Sequence, residues 1–277
     1  MKEKFTAALC QMKVMAEKAA NISKALEMTD EAAANGAEIM ILPEMFNCPY
    51  DIRLFSKYAE TENRGETLAA LIEKARDLGV YIVGGSIPEA DNGHIYNTCY
   101  IIGRDGQVIG KHRKVHLFDI DIKGKITFRE SEVLSAGDSF TVVDTDLCRI
   151  GIGICYDMRF PELSGIMTVK GAELLIFPGA FNMVTGPAHW ELLIRARALD
   201  NQSFVAAVSP ARDSNASYKA YGCSAVADPW GEVIAMAGTG EEIIYAEIDG
   251  GKLDRIRREL PLLKHRRGDI YRCELRK

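Results

Sequence analysis

Two kinds of apolar patterning alternate along the chain. Short apolar runs at residues 5–11, 38–42, 80–84, 148–154, 173–177 and 204–208 read as strands, and the unbroken ones as strands buried on both faces. Between them, residues 21–34, 65–78, 160–170, 187–201 and 252–259 carry apolar side chains at helical spacing, as in Leu68, Leu71, Ile72, Ala75 and Leu78. Gly36, Gly79 and Gly171 stand just past three of these helices, where a C-terminal glycine belongs. Further strands are expected at 96–102, 107–111, 140–143, 221–227, 232–236 and 243–248, with turn signals at Arg104-Asp105-Gly106 and Asp228-Pro229-Trp230-Gly231. Residues 119–136 are polar and without a clear period, and read as a long loop carrying Glu130 and Glu132.

The pattern repeats internally. Gly36-Ala37-Glu38-Ile39-Met40-Ile41-Leu42-Pro43-Glu44-Met45-Phe46 echoes Gly171-Ala172-Glu173-Leu174-Leu175-Ile176-Phe177-Pro178-Gly179-Ala180-Phe181, and Gly106-Gln107-Val108-Ile109 echoes Gly231-Glu232-Val233-Ile234. Two similar halves imply two sheets, and strands apolar on both faces require each sheet to be covered twice. The expectation is an α/β fold: a four-layer α-β-β-α sandwich with two mixed sheets packed face to face. A pseudo-two-fold axis would place Glu44 and the Pro178-Gly179 turn at related strand ends near the central seam. No linker composition interrupts residues 1–277, so one domain is expected, with a core at about 5–248 and a C-terminal tail at 249–277.

Composition narrows the class without naming it. Of 277 residues, 47% are hydrophobic and 26% charged, an ordinary globular balance. The net charge of −5 gives no reason to expect a nucleic-acid partner. Seven scattered cysteines without a C-x-x-C pair read as reduced thiols in a cytoplasmic protein. The first five residues lack the apolar core of a signal peptide, and no run of 18 apolar residues suggests a membrane span.

Chemistry concentrates at the ends of three apolar segments. The run Arg149-Ile150-Gly151-Ile152-Gly153-Ile154 stops at Cys155, after which polarity rises with Asp157, Arg159 and Glu162. A cysteine at a strand end meeting a helix start is a candidate nucleophile, with the following backbone N–H groups aimed at whatever it attacks; the plainer alternative is an inert buried thiol. Glu44 follows a fully apolar strand behind Pro43, a costly place for a carboxylate without a role or partner. In Lys111-His112-Arg113-Lys114-Val115-His116-Leu117-Phe118, Lys114 is drawn back against apolar neighbours. If these three converge, Glu44 would take the thiol proton, Lys114 would stabilise thiolate and oxyanion, and the Tyr156 N–H would be a second oxyanion donor. That arrangement suits attack on an amide or nitrile carbon.

Leu42-Pro43-Glu44, His112-Arg113-Lys114-Val115-His116-Leu117 and Gly153-Ile154-Cys155-Tyr156-Asp157-Met158-Arg159-Phe160-Pro161-Glu162 resemble the three signature segments of the nitrilase superfamily of carbon–nitrogen hydrolases. The resemblance runs from about residue 5 to 248. It implies the sandwich fold and a catalytic triad of Glu44, Lys114 and Cys155. It also implies a supporting glutamate, here Glu130, that positions the lysine and substrate. Lys114-Val115-His116-Leu117-Phe118-Asp119-Ile120-Asp121, Pro178-Gly179-Ala180-Phe181-Asn182, Thr185-Gly186-Pro187-Ala188-His189-Trp190-Glu191 and Ser209-Pro210-Ala211-Arg212 are similar to the omega-amidase branch, which hydrolyses the distal amide of 2-oxoglutaramate and 2-oxosuccinamate. The branch implies no cofactor, no metal, a homodimer, and a small amide substrate bearing a carboxylate. Arg159 could grip that carboxylate bidentately, or pair structurally with Asp157 or Glu162. The branch makes Phe181 and Thr185 pocket walls, and Tyr50 is a further substrate-binding candidate.

Other readings compete. A Cys–His hydrolase would use His189 or His116 as base, but Gly153-Ile154-Cys155-Tyr156-Asp157 lacks the second glycine of a nucleophile elbow. A zinc site from His112, His116 and a cysteine has no supporting ligand spacing. A non-catalytic amide-binding scaffold would require a broken triad. Within the superfamily, N-carbamoyl-amine hydrolases, other aliphatic amidases and deaminated-glutathione amidases stay open, with true nitrilases less favoured.

Overall fold

The two similar halves fold into two sheets that share one apolar seam. The computed structural model describes residues 1–272 and 274. The first half runs β1 (Lys4–Gln11), α1 (Lys18–Ala34), β2 (Ile39–Ile41), α2 (Ile52–Tyr58), α3 (Glu66–Leu78), β3 (Tyr81–Val83), β4 (Ile87–Asp91), β5 (His94–Ile102) and β6 (Val108–Arg113). A small hairpin, β7 (Asp119–Ile122) and β8 (Ile126–Arg129), follows. The second half runs β9 (Thr141–Asp144), β10 (Arg149–Ile152), α4 (Pro161–Val169), β11 (Leu174–Pro178), α5 (Gly186–Asn201), β12 (Phe204–Val208), β13 (Ala225–Ala227), β14 (Val233–Met236), β15 (Glu242–Asp249) and α6 (Gly250–Glu259).

One sheet has the order β15-β1-β2-β3-β5-β4, with β6 also paired to β5; the other has the order β14-β13-β12-β11-β10-β9. Both are mixed. In the first, β1, β2 and β3 are parallel and flanked by antiparallel neighbours. In the second, β10, β11 and β12 are parallel, flanked by β9 and β13. Residue alternation along each strand then decides the layers. Ala7, Leu9, Ile39, Ile41 and Val83 point inward to meet Ile150, Ile152, Leu174, Ile176 and Ala206 in one continuous core. The alternate residues Ala8, Cys10, Met40 and Ile82 face outward and are covered by α1 and α3 through Ala25, Met28, Leu68, Leu71 and Ala75. On the far side, Met167 of α4 and Trp190, Ile194 and Ala198 of α5 cover the second sheet. The result is the expected α-β-β-α sandwich.

Strand β15, near the end of the chain, pairs with β1 at its start along eight residues. The tail beyond α6 then turns back toward α4, where Arg266, Gly268, Tyr271 and Arg272 lie beside Pro161, Gly165 and Val169. The expected tail extends to residue 277, and positions 273 and 275–277 lie outside the described residues.

The structure differs from the sequence expectation in three places. Residues 119–136 are not a plain loop: they hold the β7–β8 hairpin and a short 3-10 turn at Glu130–Glu132. The alternation in Asp119-Ile120-Asp121-Ile122 and Ile126-Thr127-Phe128-Arg129 is present, but only four residues long on each side of the turn. Helix α2 and strand β4 were also not anticipated. Helix α2 is seven residues long, capped by the Asp51 side chain accepting from the Arg53 N–H, and buries only Phe55 of its own residues. Strand β4 begins Ile87-Pro88, at the sheet edge where a proline is tolerated.

Candidate active site

Each predicted residue of the triad stands just past a strand end. Glu44 follows β2, Lys114 follows β6, and Cys155 opens a 3-10 turn after β10. The first two belong to one sheet and the third to the other, so the seam between sheets is where they meet. All three are withdrawn from solvent: Glu44 and Lys114 are fully buried and Cys155 is 4% exposed.

The Lys114 Nζ donates to Glu44 Oε1 and to Glu130 Oε1, both at 2.9 Å. Glu44 Oε1 also accepts from Asn97 Nδ2 at 2.9 Å, and its Oε2 accepts from the Ala180 N–H at 2.7 Å. The other Glu130 oxygen accepts from the Phe118 N–H at 2.7 Å. The Glu44 charge acts on the Cys155 thiol. The lysine and both glutamates are therefore fixed by bonds to structure around them.

Electrostatics follow from burial first and charge second. Burial pushes the Cys155 thiol well above its usual range; the Glu44 charge adds to this and Lys114 opposes it. Burial also raises Glu44, with Lys114 pulling down and Glu130 pushing up. Burial works against the charged form of Lys114, but the Glu130 and Glu44 charges outweigh it and hold the ammonium charged. The resting site thus pairs a protonated thiol with a buried carboxylate of raised affinity for protons, beside a permanent cation.

The nucleophile turn is strained and braced. Cys155 has a φ of +47°, in the left-handed region that few side chains adopt. Gly153 before it packs against Phe177: a Cβ there would stand 2.6 Å from Phe177 Cε1. The close approach that this glycine permits is to a core aromatic ring. Asp157, fully buried, ties the turn to the lysine segment. Its Oδ2 accepts from the Ile154 N–H at 2.9 Å and from His112 Nε2 at 3.1 Å, and its Oδ1 accepts from the His116 N–H at 2.9 Å and from His116 Nδ1 at 2.7 Å. His112 and His116 flank Lys114 two residues either side, so one carboxylate grips both halves of the site. Both histidines are thereby occupied. Among the described residues, no group of three His, Cys, Asp or Glu side chains is arranged to hold a metal ion.

Next to Cys155 a narrow crevice is walled by Phe118, Tyr156, Arg159, Phe181, Thr185 and Tyr218. The predicted Tyr156, Arg159, Phe181 and Thr185 thus gather at the thiol. Among the described residues Arg159 has no carboxylate partner there: Asp157 is committed to the histidines, and burial lowers the guanidinium from its usual value. Its Cζ lies 4.5 Å from the Phe181 ring centroid, and its buried Nε has no partner. Tyr50 lies on the carboxylate side. Its hydroxyl donates to Glu130 Oε1 at 2.5 Å and stands 3.3 Å from Glu44 Oε1, while its ring stacks on Tyr218 at 4.5 Å. It borders a second opening, a cavity of about 60 Å3 that reaches Glu44.

Asn97 and Tyr218 escaped the sequence reading, and Asp157 enters it only as a possible partner of Arg159, not of His112 and His116. Asn97 was visible in principle, since an amide inside the apolar strand 96–102 demands a partner. Tyr218, whose hydroxyl donates to the Ala180 carbonyl at 2.5 Å, sits in an irregular segment with no pattern to mark it.

Comparison with known proteins agrees with this geometry. The family model for carbon-nitrogen hydrolase matches residues 6–258. The omega-amidase NIT2 of Mus musculus is 54% identical over 273 residues, 99% of each chain, and the omega-amidase NIT2-B of Xenopus laevis is 55% identical over 274 residues, again 99% of each. Among solved structures, Nit3 of Saccharomyces cerevisiae, a member of branch 10 of the nitrilase superfamily, superposes with a TM-score of 0.89 at 44% identity, covering 96% of this chain and 97% of that one.

Proposed function

The chain belongs to the carbon–nitrogen hydrolase family, and on that premise we propose that it is an omega-amidase releasing ammonia from a small aliphatic amide that carries a carboxylate, with Glu44, Lys114 and Cys155 as its catalytic residues. The observation that carries the mechanism is the fully buried Lys114 bridging Glu44 and Glu130 beside the Cys155 thiol. A charged amine and two carboxylates are expensive to bury, and a purely structural core would do as well with apolar side chains.

The steps follow from the proton positions. The Cys155 thiol is protonated at rest, so its proton passes to Glu44 as the sulfur attacks the amide carbon. The carbonyl oxygen takes up negative charge beside the Lys114 ammonium and the Tyr156 N–H, at the first turn after the strand, where N–H groups have no helical acceptor. The tetrahedral adduct collapses to a thioester as Glu44 returns its proton to the departing nitrogen, and ammonia leaves. A water then gives a proton to Glu44 and attacks the thioester carbon. The second adduct expels the sulfur, which regains its proton from Glu44, and the carboxylic acid is released. Atoms balance as amide plus water to acid plus ammonia. Glu130 holds Lys114 throughout and is not itself a proton carrier.

Arg159 supplies the cation for the substrate's distant carboxylate. Its lack of an acidic partner among the described residues favours an anionic substrate over the cationic amine of an N-carbamoyl-amine. The same reading carries a cytoplasmic homodimer. Exposed Val169, Leu192 and Leu199 on α4 and α5 support a covered face there, and free thiols at Cys10, Cys48, Cys99 and Cys148 support a reducing compartment. Among the described residues, no helix is long and apolar enough to cross a membrane.

The test is ammonia release from 2-oxoglutaramate, glutamine, N-carbamoylputrescine and a simple aliphatic nitrile, for the unaltered protein and for Cys155→Ala. The oxo-acid amide should be the best substrate, and Cys155→Ala should release nothing. Preference for the carbamoyl compound or the nitrile, or residual turnover by Cys155→Ala, overturns the assignment.

A further inference from the structure

Among the described residues, Arg159 is held by neutral neighbours alone. Its Nη1 donates to His189 Nδ1 at 3.0 Å, and its guanidinium lies between the rings of Phe181, at 4.5 Å, and Tyr156, at 5.6 Å. A guanidinium has only donors, so this contact makes His189 Nδ1 an acceptor and puts the imidazole hydrogen on Nε2. His189 is itself placed by helix α5: it lies in the first turn, where its N–H donates to the Thr185 carbonyl at 2.9 Å. Its neighbour Trp190 is locked in the core against Phe181 at 4.9 Å. The histidine is thus fixed in space and presents an uncharged acceptor to a cation that faces the crevice beside Cys155.

The choice of acceptor matters. An aspartate or glutamate at that position would orient the guanidinium equally well but would cancel its charge. Any anionic ligand would then compete with an internal partner already in place. A neutral imidazole fixes one edge of the fork and leaves the charge and the remaining donors to the ligand.

We propose that His189 is a positioning residue that keeps Arg159 oriented but uncompensated, and that it thereby sets the preference for amides bearing a second, anionic end. The proposal rests on the reading of Arg159 as the carboxylate anchor, and the experiment separates the two. Two amides of one length are compared, glutaramate (the monoamide of glutarate) and pentanamide, which differ only in a terminal carboxylate against a methyl group. The quantity read is the ratio of their kcat/KM values within one preparation. This ratio does not depend on how much of the preparation is folded.

His189→Asp should lower that ratio about tenfold or more, chiefly through KM for glutaramate, as expected when a compensating charge is placed on an ionic contact. His189→Asn, which restores a neutral acceptor, should keep the ratio close to that of the unaltered protein. A His189→Asp ratio equal to the original overturns the proposal, as does an equal fall in the Asp and Asn variants. Arg159→Met should abolish the preference for glutaramate. If it does not, the anchor reading fails; if it does while His189→Asp has no effect, His189 alone is excluded.

Discussion

The Ala180 N–H donates to Glu44 Oε2 at 2.7 Å across 136 residues of sequence. Each residue follows the parallel central strand of its own sheet, and Ala180 stands one place past Gly179, the residue that the internal repeat aligns with Glu44. The bond is where the two halves touch at the site, and it leaves Glu44 Oε1 to face Lys114.

Glu44→Gln keeps the shape of this contact but removes the base. The amide oxygen can still accept from Ala180 or Lys114, and Lys114 retains Glu130, so the protein should fold. Turnover should fall by about 10²–10⁴-fold, the usual worth of a positioned acid–base group. Steady-state ammonia release measures it, and a loss under tenfold would remove Glu44 from proton transfer.

The pH profile should carry the signature of Glu130. Burial and the Glu130 charge both raise Glu44 above its ordinary value of 4.5. Glu44 must be ionised to accept the thiol proton, so the acid limb of kcat/KM should lie above that value. Glu130→Gln removes one upward push and should move the limb to lower pH, whatever it does to the maximum rate. An upward movement would contradict the arrangement.

Tyr50→Phe deletes one hydroxyl and leaves a ring that still packs on Phe55 and Tyr218. A hydrogen bond to a charged group contributes about 1.5–3 kcal/mol, so kcat should drop roughly 10–100-fold if that bond fixes Glu130 in the transition state. KM should change little, because the hydroxyl lies on the carboxylate side. A KM effect alone would make Tyr50 a substrate contact instead.

Asp157 links stability to pH. Burial would raise its carboxyl, but hydrogen bonds from His112 and His116, with that from the Ile154 N–H, outweigh it and hold the carboxyl well below the usual range. A depressed folded-state value means stability that is present at neutral pH and lost as acid protonates the group. Asp157→Asn should therefore lower the unfolding free energy at neutral pH, measured by urea denaturation, by an amount on the order of 2–3 kcal/mol. The gap to the unaltered protein should narrow below about pH 4. A gap independent of pH would show that shape rather than charge is at work.

Much of this was legible in the sequence because it rests on short-range pattern. The two-sided apolar strands ending at Glu44 and Cys155 predicted both sheets, and the repeat around Pro43 and Pro178 predicted their meeting. Glu44, Lys114 and Cys155 could be named because each follows or ends an apolar segment, in stretches that resemble the family's three signature segments. What escaped notice is held by contacts without local pattern. The β7–β8 hairpin has too few residues per strand to show a period. Tyr218 lies in a segment with no period at all, and its hydroxyl reaches back 38 residues to Ala180. Asp157 was read as a possible partner of Arg159, whereas its partners His112 and His116 come from the other sheet.

Glu44 and Lys114 travel with one sheet, and Cys155 and Ala180 with the other. A slip of either layer along the seam would separate acid, amine and sulfur before it exposed much of the core. Turnover should therefore fail ahead of melting when heat or pressure loosens the sandwich, so that the rate of ammonia release is the finest available gauge of how the two layers are registered.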